Sequence, residues 1–232
     1  MTDLLAPEHV AALVAIAAAT VVLVVAARRR HGAWLKVLAV ILVVDEVSWW
    51  VFLGAGGGEP GQRGQPLPLQ LCDVAIFIAA AALWTRQSLL VETTYFWGLA
   101  GTIQALLTPD LPQHFPSYPY FQYYIAHGGV VAAALVLVVG LHLRPDNWAV
   151  VRVTAVTIAY TAAVAAVDAI TGADYMFLRS KPPSPTLLDA LGPWPVYLFS
   201  AAVIAVLLFG LLNAPFWLRR GACRSAPLTR PG

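Results

Sequence analysis

The chain has 232 residues, 59% of them hydrophobic and 11% charged, with a mean hydropathy of +0.73 and a formal net charge of +2. A soluble domain carries roughly 25% charged residues. This composition has too little polar surface to coat a water-soluble globule, and it presents no strongly basic surface for nucleic acid.

In chain order, the start "MTDLLAPEH" is acidic where a cleavable signal is basic. The first apolar run, 8–27, ends in Arg28, Arg29 and Arg30, a topology anchor. The second run, 34–54, carries Asp45 and Glu46. Adjacent helical residues point about 100° apart. One of the two therefore serves any given site, with Glu46 the weaker of two near-equal choices. "GAGGGEPGQRGQP" follows as a loop.

The third run, 67–84, opens on "LPLQLCD" and places Cys72 and Asp73 near its start. The fourth, 88–107, sets Trp97, Gly101, Gln104 and Thr108 on one face of an ideal helix. The fifth, 119–143, carries His127 within "HGG". Around its start, Phe115, Tyr118, Tyr120, Phe121, Tyr123 and Tyr124 read as an interfacial belt. The sixth, 149–170, places Asp168 near its end. The connection 171–192 is long and too apolar for disorder. It reads as an outer cap over a cavity, with Tyr175, Arg179, Lys181 and, just beyond, Trp194. The seventh run, 193–217, contains no lysine, which excludes a retinal Schiff base.

A membrane span needs about 20 apolar residues, so the runs predict an all-α, polytopic membrane bundle of seven helices over 1–218. A basic cytoplasmic tail, 219–232, follows. Of the lysines and arginines, eleven fall at one set of helix ends and three at the other. The positive-inside rule then puts the N-terminus outside and the C-terminus in the cytoplasm of a cell with this protein in its plasma membrane. At a rise of about 1.5 Å per residue, Glu46 (or Asp45), Cys72, Asp73, Gln104, His127 and Asp168 fall in one slab of the outer half. Glu92 is the main exception, near the cytoplasmic end, within reach of the interface. Ionisable groups inside a membrane are costly and tend to be functional, so the slab predicts a polar cavity.

Cys72 by itself is a small apolar filler. A reactive thiolate needs a cation or a base beside it, and His127 lies at a similar depth on another helix. Asp73, Asp168 or Glu46 would orient the imidazole as the third group of a triad does. Gln104 or a helix-end N–H would bind an oxyanion. Spacing leaves open whether Cys72 and His127 touch. Cys223 lies at the opposite end from Cys72, so the two do not pair. No metal-ligand spacing occurs, no cofactor is called for, and nothing fixes the oligomeric state.

"LPLQLCD", "YFWGLAGTIQALLTPDL", "FPSYPYFQYYIAHGG" and "DYMFLRSKPPSPTLLDALGPWPVY" resemble blocks of the YwaF-type bacterial family of integral membrane proteins, over Leu67 to Tyr197. That family is similar, more distantly, to eukaryotic transmembrane protein 164, described as a cysteine-centred acyltransferase acting on ether phospholipids. The resemblance implies Cys72 as nucleophile and His127 as the histidine of the site. One departure is Asp174, where family members carry asparagine. The expectation is an intramembrane lipid acyltransferase or acyl hydrolase with a phospholipid or lysolipid as substrate. The alternatives are a proton-coupled transporter of a small solute and a non-catalytic lipid-binding membrane protein.

Overall fold

The computed structural model describes residues 6–29, 32–58, 67–109, 111, 113–181 and 187–224. Arg30, Arg63, residues 182–186 of the expected cap and the tail after Arg224 lie outside the described residues. So do the side chains of Arg219, Arg220, Cys223 and Arg224.

The described residues form seven helices and no strand: α1 (Pro7–Arg29), α2 (Trp34–Gly54), α3 (Leu71–Thr85), α4 (88–107), α5 (Tyr118–Leu135), α6 (Ala149–Thr171) and α7 (Val196–Arg224). Two of them are not uniform. α4 widens to a π-helical turn over Trp97–Thr102, and α5 ends in another over Val136–Gly140. Five helices, α1, α2, α5 with its π turn, α6 and α7, are long and apolar enough to cross a membrane. α3 has 15 residues, about 22 Å at 1.5 Å per residue, short of a hydrocarbon core of about 30 Å. The expected third segment began at Leu67, but Pro68 lacks an N–H and keeps its predecessor out of the helical region. The helix starts only after Gln70, its extended N-cap.

α5 is the post of the bundle: 67% of its apolar window is buried, against 11% for α1. It packs on α1, α2, α3 and α4, whereas α1 and α2 scarcely touch each other. Small residues permit this closeness. A Cβ built on Gly129 would stand 2.3 Å from Leu42 Cδ2 of α2. α3 lies between α2, α4 and α5 and buries Ala75, Ala79 and Ala82, an i, i+4, i+7 stripe.

Pairwise contacts show that the helices alternate in direction. At one end, Arg28 Nε of α1 donates to the Val139 carbonyl at 3.3 Å, and Lys36 of α2 sits over the Trp84 ring of α3. Arg152 of α6 grips Glu92 of α4 at 2.6 and 3.1 Å there, and also pairs with Asp146 at 2.8 Å. At the other end, Ser48 of α2 bonds Tyr118 of α5 at 2.7 Å, and Tyr120 donates to the Glu8 carbonyl at 2.6 Å. Glu92 thus differs from its expected place at the interface. It is buried and locked to Arg152, because a carboxylate under the bundle is stable only with a charge-assisted partner.

Candidate active site

Cys72 is the second residue of α3, within its first turn and two residues after the cap. Gln70 and Asp73 form a reciprocal capping box: the Gln70 side chain accepts the Asp73 N–H, and Asp73 Oδ2 accepts the Gln70 N–H at 3.2 Å. The first N–H groups of a helix have no intrahelical acceptor, so those of Leu71 and Cys72 point out of the turn with partial positive charge. Cys72 is a free, half-buried thiol.

His127 stands on α5 and faces the same hollow. Its Nδ1 lies 2.8 Å from the Tyr123 carbonyl, one turn back. A carbonyl only accepts, so Nδ1 carries the proton in the neutral ring and Nε2 keeps its lone pair. Tyr123 also stacks on the imidazole, with ring centroids 4.2 Å apart. The orienting group is therefore a backbone carbonyl, not the carboxylate a triad would supply.

The cavity measures about 130 Å³. Its polar wall consists of Glu46, Cys72, Asp73, Gln122, Tyr123 and His127; Trp49, Ile76 and Ala126 close the sides, with Leu111 from the α4–α5 connection and Pro119 from the first turn of α5. Glu46 is 1% exposed, and its Oε1 accepts the Trp50 indole N–H at 2.7 Å. Of the adjacent carboxylates it is Glu46 that lines the hollow. Asp45 turns to the α2–α5 seam, where Gln122 Nε2 lies 3.5 Å from its Oδ2.

Residues 4–213 match the profile of the TMEM164 family. The chain belongs to the TMEM164 family. Together with its apolar helices, membership makes it an integral, multi-pass membrane protein. No curated protein and no solved structure matches the chain.

Besides Asp45, two more of the expected site residues stand elsewhere in this family member. Gln104 is exposed and away from the cavity. The expected face Trp97, Gly101, Gln104, Thr108 assumed a uniform period, and the π turn over Trp97–Thr102 breaks it. Trp97 itself is buried, with its indole N–H donated to Thr157 at 2.9 Å. Asp168 is 1% exposed and serves the loop after α6. Its Oδ1 accepts the Tyr175 N–H at 3.0 Å, and its carbonyl accepts the N–H of Gly172, whose φ of +77° ends the helix.

The cap also differs in place. Tyr175, Arg179, Lys181 and Trp194 do not line the Cys72 cavity. Tyr175 is buried against the lead-in to α3, and Trp194 Nε1 donates to the Leu178 carbonyl at 3.1 Å. Arg179 Nη1 reaches the Asp168 and Ala173 carbonyls at 3.4 Å, and Lys181 pairs with Asp189 at 3.5 Å. Sequence reasoning missed Gln122 and Trp49 as cavity residues and placed Tyr123 in the aromatic belt. The available signal was a glutamine one and a half turns before His127 in an otherwise apolar helix.

Proposed function

We propose that the protein is a membrane-embedded cysteine acyltransferase or acyl hydrolase acting on phospholipid. The observation that carries this reading is the shared cavity: Cys72 at a helix N-terminus and His127 with its Nε2 lone pair free face one hollow flanked by Glu46. Similarity to transmembrane protein 164 supports the same chemistry.

In this reading His127 Nε2 takes the Cys72 thiol proton as sulfur attacks the ester carbonyl carbon. The N–H groups of Leu71 and Cys72 receive the oxyanion. The carbon–oxygen bond then breaks, and the departing lysolipid oxygen takes the proton from His127. A thioester remains on Cys72. A lysolipid hydroxyl or water, deprotonated by His127, attacks it, and the returning thiolate recovers the proton. At about 130 Å³, the cavity is below the roughly 300–1,000 Å³ of a drug-sized pocket. It suits the reacting ester, with the rest of the lipid in the bilayer.

In this reading seven segments cross the plasma membrane, the third made of α3 and its irregular lead-in 67–70, with the N-terminus outside and the cavity in the outer half. A proton-coupled transporter needs a polar path through the basic half as well. There the described carboxylates, Glu92 and Asp146, are tied up in ion pairs with Arg152.

The test is incubation of the purified protein with phospholipid. A hydroxylamine-sensitive acyl adduct is expected on Cys72, absent in Cys72→Ala. Full lipid-remodelling activity in both Cys72→Ala and Cys72→Ser removes the reading.

A further inference from the structure

Residues 67–70 run as irregular backbone where a full-length third span would still be helical. Unpaired backbone groups are costly at that depth, and neighbouring elements supply the partners. The Leu67 N–H donates to the Tyr175 hydroxyl at 3.0 Å, and the Leu69 carbonyl accepts from the Tyr160 hydroxyl at 2.9 Å. Gln70 Oε1 accepts the Met176 N–H at 2.9 Å.

The last bond matters because Gln70 is also the N-cap of α3. One amide side chain holds both the first turn of the helix that carries Cys72 and the turn of the cap that carries Met176. That cap turn is held against its own preference. Met176 and Phe177 have φ of +57° and +55°, a left-handed region that residues with a side chain seldom visit. The Phe177 carbonyl is in turn gripped by the Tyr197 hydroxyl of α7.

We infer that Gln70 is a positioning residue that couples the outer cap to Cys72, aligning the nucleophile while the Met176–Phe177 turn is docked. The inference rests on the acyl-transfer reading above. No described cap residue lines the cavity, so the influence of the cap on the chemistry runs through the lead-in to α3. A ligand or partner that engages the cap acts on the reaction by this route.

Gln70→Ser separates the two duties of the side chain. Serine is among the preferred N-caps but is too short to reach the Met176 N–H. Gln70→Ala loses both duties. A misplacement of about 1 Å costs on the order of a hundredfold, so Gln70→Ser is expected to lower kcat by about tenfold or more. KM should stay within about twofold, the mark of an interaction felt in the transition state. Tyr197→Phe, which releases the cap turn from α7 without touching α3, should lower kcat in the same way. Wild-type kcat in Gln70→Ser, or a change confined to KM, overturns the inference.

If the wild-type protein forms no acyl adduct on Cys72, the acyl-transfer reading fails separately, and amide hydrogen exchange decides the coupling. Gln70→Ser must then speed exchange at 175–178, and Tyr197→Phe must speed it at 71–74, because coupling is reciprocal. Unchanged exchange at either segment overturns the inference.

Discussion

At the scale of single residues, the site turns on which nitrogen of His127 is free. The Tyr123 carbonyl holds Nδ1–H, which leaves Nε2 to take a proton. Replacement of His127 by alanine is expected to lower the rate of Cys72 acylation by about 10²–10⁴, the range for loss of a general base, as measured by single-turnover labelling. His127→Asn, whose amide still donates to the Tyr123 carbonyl but has no basic nitrogen, should be as slow as alanine while unfolding at the wild-type temperature. The pair Cys72 and His127 was legible in the sequence because both interrupt apolar helices at one depth. Their orienting group was not legible, because a backbone carbonyl leaves no trace in side-chain identity. The choice between Asp45 and Glu46 was equally closed to sequence. It depends on the rotation of α2 against α5, which Leu42 on Gly129 and Asp45 on Gln122 fix only in three dimensions.

At the scale of elements, polar groups inside the bundle knit helices together as often as they line the cavity. Glu92 and Arg152 join α4 to α6 through two charge-assisted hydrogen bonds. Arg152→Ala leaves Glu92 buried without its partner and is expected to cost about 3 kcal/mol, the lower end for breaking a buried pair because the arginine is partly exposed. Chemical unfolding in detergent measures it, and a loss below about 1 kcal/mol would place the pair with surface salt bridges instead. Thr157→Val removes the acceptor of the Trp97 indole and should cost about 1 kcal/mol. Helix periodicity predicted the positions of α4 and α6 but put Gln104 in the cavity, since a π turn looks in sequence like ordinary helix. The wider turn shows only in the backbone, where Trp97–Thr102 is π-helical. α3 shows the complementary case. Hydropathy marked 67–84 as one span, yet its first residues stay irregular around Pro68, with the cap and Tyr160 satisfying their backbone groups from outside.

At the scale of the whole molecule, the alternation of helices collects Arg28, Arg29, Lys36, Arg86, Arg144 and Arg152 at one end of the bundle. Among the described residues the other end holds Arg179 and Lys181. The cavity with Cys72 sits toward the second end, beside the Ser48–Tyr118 and Glu8–Tyr120 contacts. A basic end is retained on the cytoplasmic side during insertion, so the Cys72 cavity should face outward, and this is open to direct measurement. In a Cys72→Ala background, a cysteine placed at the exposed Ala55, after α2, should react with a membrane-impermeant maleimide on intact cells. A cysteine at the exposed Gln87, in the α3–α4 turn, and the native Cys223 should react only after permeabilisation. The reverse pattern would turn the cavity to the cytoplasm and make intracellular lipid the accessible substrate. Labelling of Ala55→Cys and Gln87→Cys from the same side would contradict the alternation itself. An outward orientation would also decide what can act on the cap. The Met176–Phe177 turn then lies at the outer interface, so an agent added outside to a sealed cell can reach it and slow Cys72 acylation. The same agent confined to the cytoplasm should have no effect, even at a concentration that saturates the protein in detergent.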